Sequence, residues 1–370
     1  MPTRRRFALP VLFAGLIGVG ASAPALASGS HPHLPRESAQ QLVAGVLAGR
    51  TSAVSGSLAW SPDLGLPSLS GLTTGGQGVP SSTGIDPTSL LTTSQTFRLW
   101  VDGSKERVAT TGALAETDVL RNGRQAWVWN SATQHVDHYT FAQATGGAPA
   151  APPAGVDPQT IAAQAIRQLE AAGTSITVGR PVDVAGVPAQ VLQLRPTDRA
   201  SSTVSSVDIA VDAANSAVLQ VSINAVGQDA VPALQLGFTS VRFAPPASSV
   251  FAPPQGATTS NHVVTPQASQ PRSGWYGYAP LTQSSPVPAR PPVRTIGHGW
   301  STVLEVSPSG RGGHTLAALE TAARPVSGTW GSGRLLQSSL LDALVLPSGH
   351  VLVGFVPPAV LEADAAALGG

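Results

Sequence analysis

Histidines and carboxylates that could bind a metal ion cluster at two places, His31-x-His33 and His135-x-Asp137-His138. Imidazole and carboxylate groups are ordinary zinc ligands. On a β-strand, however, His135 and His138 point to opposite faces, because they are three residues apart in a repeat of two. His31 and His33 lie in a proline-containing segment near the N-terminus, where we expect a polar and disordered chain. The sequence therefore predicts no metal site and no cofactor.

Nucleophilic catalysis has no recognisable machinery in this sequence. It contains no Cys, no G-x-S-x-G motif, and no S-x-x-K motif before its single lysine, Lys105. Asp208 and Asp212 flank a predicted strand and read as its polar ends rather than as a catalytic carboxylate pair. The run Gly75-Gly76-Gln77-Gly78 lacks the lysine that a phosphate-binding loop needs. We therefore predict that the protein is not an enzyme.

The balance of charge argues against a nucleic-acid partner. The formal net charge is +1 over 370 residues, and only 11% of the residues are charged. If Arg4, Arg5 and Arg6 are removed with an export signal, 18 basic and 20 acidic side chains remain, which gives a formal charge of −2. Such a chain has no excess of basic side chains with which to bind a phosphate backbone.

Residues 1–27 have the three parts of a secretory signal peptide: Arg4-Arg5-Arg6, an apolar run over 7–20, and small residues ending in Ala25-Leu26-Ala27. Cleavage before Ser28 would release the mature protein outside the cytoplasmic membrane, in the cell envelope or secreted. The basic run also resembles a twin-arginine motif, so the Sec and Tat routes both stay open. An uncleaved N-terminal anchor stays open as well. No Cys follows the signal, so we expect a protein that is not lipidated.

Apolar spacing and capping residues predict two helices in the first two thirds of the chain. The first covers 36–48 and has one apolar stripe. The second has Asp157 as its N-cap and Pro158 as its first residue, and it stops at Gly173. Its apolar side is formed by Ile161, Ala165, Ile166 and Leu169.

Alternating apolar and polar residues predict many short strands. Their connections are too short for parallel crossovers, so we expect an antiparallel meander, and their regular spacing indicates one curved sheet or barrel. The predicted strands are 53–60, 95–102, 105–110, 118–120, 125–129, 135–141, 176–184, 188–194, 204–211, 218–225 and 233–243.

Composition divides the chain into four parts. A signal peptide over 1–27 is followed by the sheet domain over 28–255, and a Pro/Ser-rich linker covers 256–295. The C-terminal part, 296–370, is predicted to hold a helix over 315–322, a hairpin formed by 334–346 and 350–356, and a last helix that begins at Pro357-Pro358. Because this part has little core of its own, we expect it to pack on the preceding sheet.

Apolar residues recur at every second position of the strands and along one side of the second helix. They form either an ordinary core or the lining of a groove for acyl chains. Each buried methylene contributes roughly 0.8 kcal/mol, so a sixteen-carbon chain would gain on the order of 10 kcal/mol before ordering costs. The predicted lining consists of Leu58, Trp60, Phe97, Leu99, Trp127, Trp129, Ile161, Ile166, Leu169, Leu192, Leu194, Ile209, Val211, Val221, Ile223, Leu236 and Phe238.

Several stretches between residues 40 and 256 share loose motifs of apolar residues, Gly and Pro with one known family. The stretches are Thr96–Gly103, Asn122–Trp129, Gly179–Pro196, Val207–Asp212, Ala217–Ser222, Leu236–Phe243 and Val250–Gly256. Together they resemble the LolA-like lipoprotein-carrier fold, which includes the actinobacterial LppX and LprG lipid carriers and the RseB sensor domain. Segment 296–370 lies outside the shared region.

The resemblance implies an α+β fold: a half-open antiparallel β-barrel, that is, a strongly curved sheet with helices covering its concave face. To this fold the sequence pattern of 296–370 adds a small C-terminal hairpin and helix segment. It also implies an exported, monomeric carrier that binds lipid or lipoprotein acyl chains in an apolar cavity. The RseB relatives imply an alternative, an envelope sensor or regulator that binds a membrane-anchored protein such as an anti-sigma factor. Peripheral contact with a membrane would fit either role.

Overall fold

The fold is described from a computed structural model, which covers residues 34, 37–49, 53–66, 89–112, 115–141, 157–170, 172–228, 230–264, 293–306 and 323–369. The predicted signal peptide, His31 and His33, the glycine run 75–78 and the predicted helix 315–322 lie outside these residues. No helix among them combines the length and the apolar character needed to cross a bilayer.

Thirteen strands form one large, mostly antiparallel sheet. Its order is β13-β6-β5-β4-β3-β2-β1-β12-β11-β10-β9-β7, with β8 beside β9. Among the described strands, β13 and β7 are the two edges and do not pair with each other. The sheet therefore does not close, and the predicted half-open architecture is confirmed. The strands are β1 Ala53–Pro62, β2 Gln95–Asp102, β3 Lys105–Thr111, β4 Glu116–Asn122, β5 Gln125–Asn130, β6 His135–Phe141, β7 Thr174–Val178, β8 Val182–Val184, β9 Val187–Pro196, β10 Val204–Asp212, β11 Val218–Ala225, β12 Leu234–Arg242 and β13 Thr258–Val264.

Two features of this sheet differ from the sequence prediction. The interval 176–184 holds two strands, β7 and β8, which both pair with β9. The predicted linker over 256–295 begins with β13, which pairs with β6 and makes the one parallel pair among the described strands. Its sequence, Thr-Thr-Ser-Asn-His-Val-Val, has no apolar alternation, so the pattern gave no sign of a strand.

Helix α1, Ala39–Ala48, begins three residues later than predicted because Ser38 caps it. The Ser38 hydroxyl accepts a hydrogen bond from the Gln41 backbone N–H at 3.3 Å, and the Gln41 side chain accepts one from the Ser38 N–H at 2.8 Å. Gly49 ends the helix with φ +57°. A single turn, α2 Ser89–Thr92, precedes β2.

Helix α3, Pro158–Glu170, begins as predicted. The Asp157 carboxylate accepts hydrogen bonds from the backbone N–H groups of Gln159 at 3.2 Å and Thr160 at 3.0 Å. The buried side of α3 is rich in alanine: besides Pro158 and Ile166 it consists of Ala162, Ala163 and Ala165.

The C-terminal part forms a second sheet, which is larger than the single predicted hairpin. Its order is β14-β15-β19-β18-β17-β16. Its strands are β14 Val293–Ile296, β15 Val303–Val306, β16 Arg324–Gly328, β17 Gly331–Leu336, β18 Asp342–Val345 and β19 Val351–Gly354. The last helix, α4 Pro358–Gly369, packs on this sheet and shares a core with it, in which Val303, Leu335, Leu344, Leu352 and Leu361 are buried.

The two sheets meet through backbone hydrogen bonds. The Thr203 N–H, in the loop between β9 and β10, donates to the Phe355 carbonyl at 3.0 Å. The Ser339 N–H donates to the carbonyl of Leu64, just after β1, at 2.9 Å. The described residues of both sheets belong to one compact unit.

Candidate functional site

Strand register places most of the predicted lining on one face of the large sheet. Leu58 lies opposite both Phe97 and Phe238. Farther along the sheet, Ile209 lies opposite both Val221 and Leu192. Residues directly opposite in adjacent strands share a face, and α1 and α3 pack on this one. We call it the inner face, and the other the outer face.

The inner face carries two apolar clusters. The helix cluster includes residues of α1 and α3: Leu42, Val46, Ala162, Ala163, Ile166, Leu192, Leu194, Val207, Ile209, Val211, Val221, Leu234, Trp300 and Leu340. The strand cluster consists mainly of strand residues, which include Val54, Leu58, Phe97, Leu99, Val108, Leu219, Leu236 and Phe238. Leu58, Leu99, Ile166, Leu192 and Ile209 are 0% exposed. The helices therefore fill the part of the inner face that they cover.

Trp60 on β1 and Ile161 on α3 lie where the two clusters meet. Both are half-buried, and both contact the helix cluster and the strand cluster. Leu169 and Ile223 are also half-buried, at the border of the helix cluster. These partly exposed residues form an apolar rim between α3 and the sheet.

Trp127 and Trp129 lie on the outer face, apart from all other predicted lining residues. Trp127 lies opposite Leu120, which lies opposite Arg107, and Arg107 lies opposite Trp100. Trp127 stacks on the His138 ring at a centroid distance of 5.0 Å. The alternation within β5 put the two tryptophans correctly on a common face, but alternation alone does not say which face of the sheet that is.

Two polar side chains that sequence reasoning missed hold helix α3 in place. The first is Gln159, whose side-chain amide donates to the Val46 carbonyl of α1 at 2.6 Å. The Gln159 amide oxygen accepts from the Val218 N–H of β11 at 2.9 Å. The second is Trp300, which reaches the helix from the second sheet. Two glycines just before it, Gly297 and Gly299, were the only sequence signal of a special role for this tryptophan.

The histidine motif of β6 splits across the sheet as its spacing predicted. His138 faces outward and bonds to Asn261 at 2.9 Å. On the inner face, Asp137 bonds to His262 of β13 at 2.9 Å, and His135 lies 3.6 Å from the same carboxylate oxygen. Among the residues that the structure describes, no group of three or more His, Asp or Glu side chains is arranged to hold a metal ion.

Two buried carboxyl groups have raised pKa values, and both are hydrogen-bonded to other parts of the protein. Burial raises the pKa of the Asp118 carboxyl to about 6, although the adjacent Arg107 guanidinium lowers it. Burial also raises the pKa of Asp342 to about 6, against the Ser338 N–H that donates to it at 3.1 Å. Asp118 is 0% and Asp342 2% exposed. Neither acid is accessible to a substrate in this structure.

We expect Asp342→Asn to remove part of the pH dependence of stability. The native pKa lies above the ordinary 3.8, so folded Asp342 keeps its proton longer and stability falls as the pH rises from about 4 to about 6. The loss is on the order of 2 to 3 kcal/mol. Asparagine does not titrate. In urea unfolding at pH 4 and pH 7, the variant should lose less stability between the two pH values than wild type. Equal losses would contradict the assignment.

No protein-family model and no curated protein matches the chain. Among solved structures, the MucA/MucB complex of Pseudomonas aeruginosa has 16% identity and a TM-score of 0.43, over 88% of this chain and 96% of that one. An uncharacterized conserved protein from Thermus thermophilus has 9% identity and a TM-score of 0.33, over 60% and 98%. A LolA superfamily protein from Nitrosomonas europaea has 13% identity and a TM-score of 0.24, over 59% and 99%.

The structures found include a LolA superfamily protein, as the sequence resemblance predicted. With TM-scores below 0.5 and identities below 25%, these similarities carry no information about the ligand of this protein. Its function is therefore inferred from its own geometry.

Proposed function

We propose that this protein is an exported, non-catalytic carrier that binds an acyl chain of a lipid or lipoprotein between helix α3 and the inner face of the large sheet. The observation that carries the proposal is the apolar rim. At Trp60 and Ile161 the two apolar clusters of the inner face meet, and both side chains are partly exposed there. An acyl chain entering at this rim would remain in contact with apolar side chains along its length.

The composition of α3 supports its role as a lid over this face. Its buried side is mostly alanine, and each alanine that leaves the sheet exposes little apolar surface. The floor beneath it contains larger side chains, among them Leu192, Ile209 and Val221. If the methylene groups of an acyl chain took the place of the alanine methyls, they would cover these side chains again. Each buried methylene would contribute roughly 0.8 kcal/mol. Lifting α3 therefore makes room for an acyl chain with little loss of buried apolar surface.

Lipid analysis of the native protein tests this proposal. The protein should be purified from the culture fluid or envelope of its own or a related host, measured by native mass spectrometry, and extracted with solvent. We expect lipid at a defined stoichiometry. A purified protein that contains no lipid and takes up no fluorescent fatty acid would overturn the carrier function.

A rim mutation supplies a matched test in the same assay. Trp60→Ala removes a large apolar side chain from the proposed entrance, so we expect affinity for a fluorescent fatty acid to fall about tenfold, as for the loss of one buried aromatic contact. Trp127→Ala removes a half-buried tryptophan from the outer face and should leave the affinity unchanged. Equal effects of the two substitutions would place the ligand elsewhere.

A second candidate, a regulator that binds a membrane-anchored protein such as an anti-sigma factor, is favoured by a different observation. The inner face is already filled by α1 and α3, and a second sheet with its own core is joined to the first. Such a protein could present a binding surface without holding lipid. An empty protein that captures the periplasmic segment of an anti-sigma factor encoded nearby would support this candidate over the carrier.

A further inference from the structure

A side chain of the second sheet supports the C-terminal end of α3. Trp300 lies in a short turn, Gly299–Ser301, between β14 and β15. Its indole N–H donates to the Thr174 hydroxyl at 2.8 Å, and that hydroxyl donates in turn to the Leu169 carbonyl. Leu169 belongs to the last turn of α3, where carbonyls have no partner within the helix. The Leu169 carbonyl also accepts from the Ala172 N–H at 2.9 Å. The second sheet thus acts on this end indirectly, because Trp300 fixes the Thr174 hydroxyl that bonds to the helix.

The turn that carries Trp300 approaches the end of α3 closely. Gly299 has φ +61°, and a Cβ atom built on it would overlap the Cβ atom of Ala172. Only glycine meets both conditions, because it tolerates a positive φ and has no side chain to collide. The Trp300 ring itself is 8% exposed and belongs to the helix cluster, together with Ile166 and Leu192.

The two ends of α3 are fastened to different parts of the molecule. The N-terminal end is held within the first sheet, where Gln159 bonds to Val46 of α1 and Val218 of β11. The C-terminal end is bonded to the Thr174 hydroxyl of β7, and that hydroxyl is fixed in turn by Trp300 of the second sheet. If the second sheet shifts, the C-terminal end of α3 loses the support of Trp300, whereas the bonds of Gln159 at the N-terminal end stay in place.

We infer that the second sheet regulates the lid: the turn with Trp300 clamps the C-terminal end of α3, and its release lets α3 swing about its Gln159 end and open the inner face. The inference rests on the proposed carrier function for its consequence, since an opened lid would admit an acyl chain. A partner that binds the second sheet and displaces the turn would promote loading or unloading. Conversely, cargo that lifts α3 would loosen the second sheet, because such coupling is reciprocal.

The clamp can be tested with a pair of conservative substitutions in the full chain. Trp300→Phe keeps an aromatic ring but removes the indole donor. Trp330→Phe is the matched control, because the indole nitrogen of Trp330 is buried in the second sheet without a hydrogen-bond partner. Thr174→Val removes the relaying hydroxyl with little change of shape and provides an independent second variant.

Hydrogen exchange at the α3 backbone is the primary readout. We expect residues 166–170 to exchange about fivefold faster in Trp300→Phe and Thr174→Val than in wild type, as for the loss of one hydrogen bond, with no change at α1 and no change in Trp330→Phe. Exchange in α3 that stays at the wild-type rate in both variants would overturn the clamp.

Uptake of a fluorescent fatty acid separates the clamp from the carrier function. Faster uptake by Trp300→Phe than by wild type would support both. If wild type and variants bind no fatty acid while exchange in α3 is still accelerated, the carrier function fails and the clamp stands. If wild type binds fatty acid and neither exchange nor uptake changes in the variants, the carrier function stands and the clamp fails.

Discussion

Gly56→Ala is expected to destabilise the protein by more than about 3 kcal/mol, the upper end of what overpacking costs. Gly56 lies in β1, opposite Val241 of β12 and Leu99 of β2. A Cβ atom at this position would overlap the backbone carbonyl oxygen of Ser240 and lie 2.9 Å from the Phe238 ring. The obstacle is backbone, so no change of side-chain rotamer relieves it.

The location of Gly56 makes this collision costly for the whole sheet. Strand β1 joins the two meanders, since it pairs with β2 on one side and β12 on the other. The β1–β12 pairing carries a register shift beside Ser57 and Leu58, where the strands already depart from regular geometry. Separating β1 from β12 would split the strand cluster, to which β1 contributes Leu58 and β12 contributes Phe238.

Gly179→Ala is the control for this prediction. A Cβ atom there would lie 3.0 Å from the side chain of Gln193, which can move away. We expect the free energy of unfolding to change by less than about 1 kcal/mol. Urea unfolding followed by far-UV circular dichroism compares the two variants. Similar stability of Gly56→Ala and wild type would show that β12 can yield at this point, contrary to the structure.

Arg107→Met is expected to destabilise the protein by about 3 to 5 kcal/mol at pH 8, as for a buried ion pair that loses one partner. Arg107 bonds to Asp118, which is 0% exposed, and also donates to the Val250 carbonyl at 3.1 Å. Its guanidinium lies 5.4 Å from the Trp100 ring centroid. Removing it leaves a carboxylate on the outer face without its cation and frees the 248–251 turn that packs there.

The pH dependence identifies the buried charge as the cause. The native pKa of Asp118 is already about 6, because burial outweighs the attraction of Arg107. Without Arg107 the native pKa of Asp118 should rise further. The variant then loses stability as the pH rises from about 4 through this native pKa, because the folded protein must release a proton that it holds more tightly than the unfolded chain does. The free energy of unfolding of Arg107→Met should therefore fall further below that of wild type at pH 8 than at pH 5.

Arg98→Met is the matched control. Arg98 also lies 5.4 Å from the Trp100 ring, but its ion pair with Glu116 is exposed, with half of the arginine side chain in solvent. Exposed pairs contribute about 1 kcal/mol or less, so we expect a small effect with little pH dependence. Suppose that Arg107→Met loses the same free energy of unfolding relative to wild type at pH 5 and at pH 8. Lost packing, and not the charge of Asp118, would then be responsible.

Local sequence patterns were sufficient for most of the elements. Strands β2, β6 and β11 have the predicted bounds, because alternation and flanking turn residues define a strand within a few residues of chain. Helix α3 begins where Asp157 and Pro158 predicted, because a side-chain cap acts within one turn. The half-open sheet was predicted from motifs that resemble a family and not from periodicity alone.

The candidate site was only partly predictable, because periodicity determines which residues share a face but not which face is covered. The inner-face residues were predicted together, whereas Trp127 and Trp129 proved to lie on the outer face. The side chains that hold α3, Gln159 and Trp300, are polar or lie far away in the sequence. Each acts by meeting a single backbone or hydroxyl group, so neither belongs to any repeating pattern.

The amino-acid sequence by itself determined most strands of the first sheet, the helix capped by Asp157, the set of apolar residues that need burial and the lack of an evident catalytic motif. Each of these depends on interactions between residues a few positions apart. The tertiary structure alone decided that β13 joins the sheet beside β6, that a six-stranded second sheet forms, and that Trp300 reaches the end of α3. Such pairings join residues that are far apart in the chain. Their stability depends on the geometry of both partners at once, which no local pattern records.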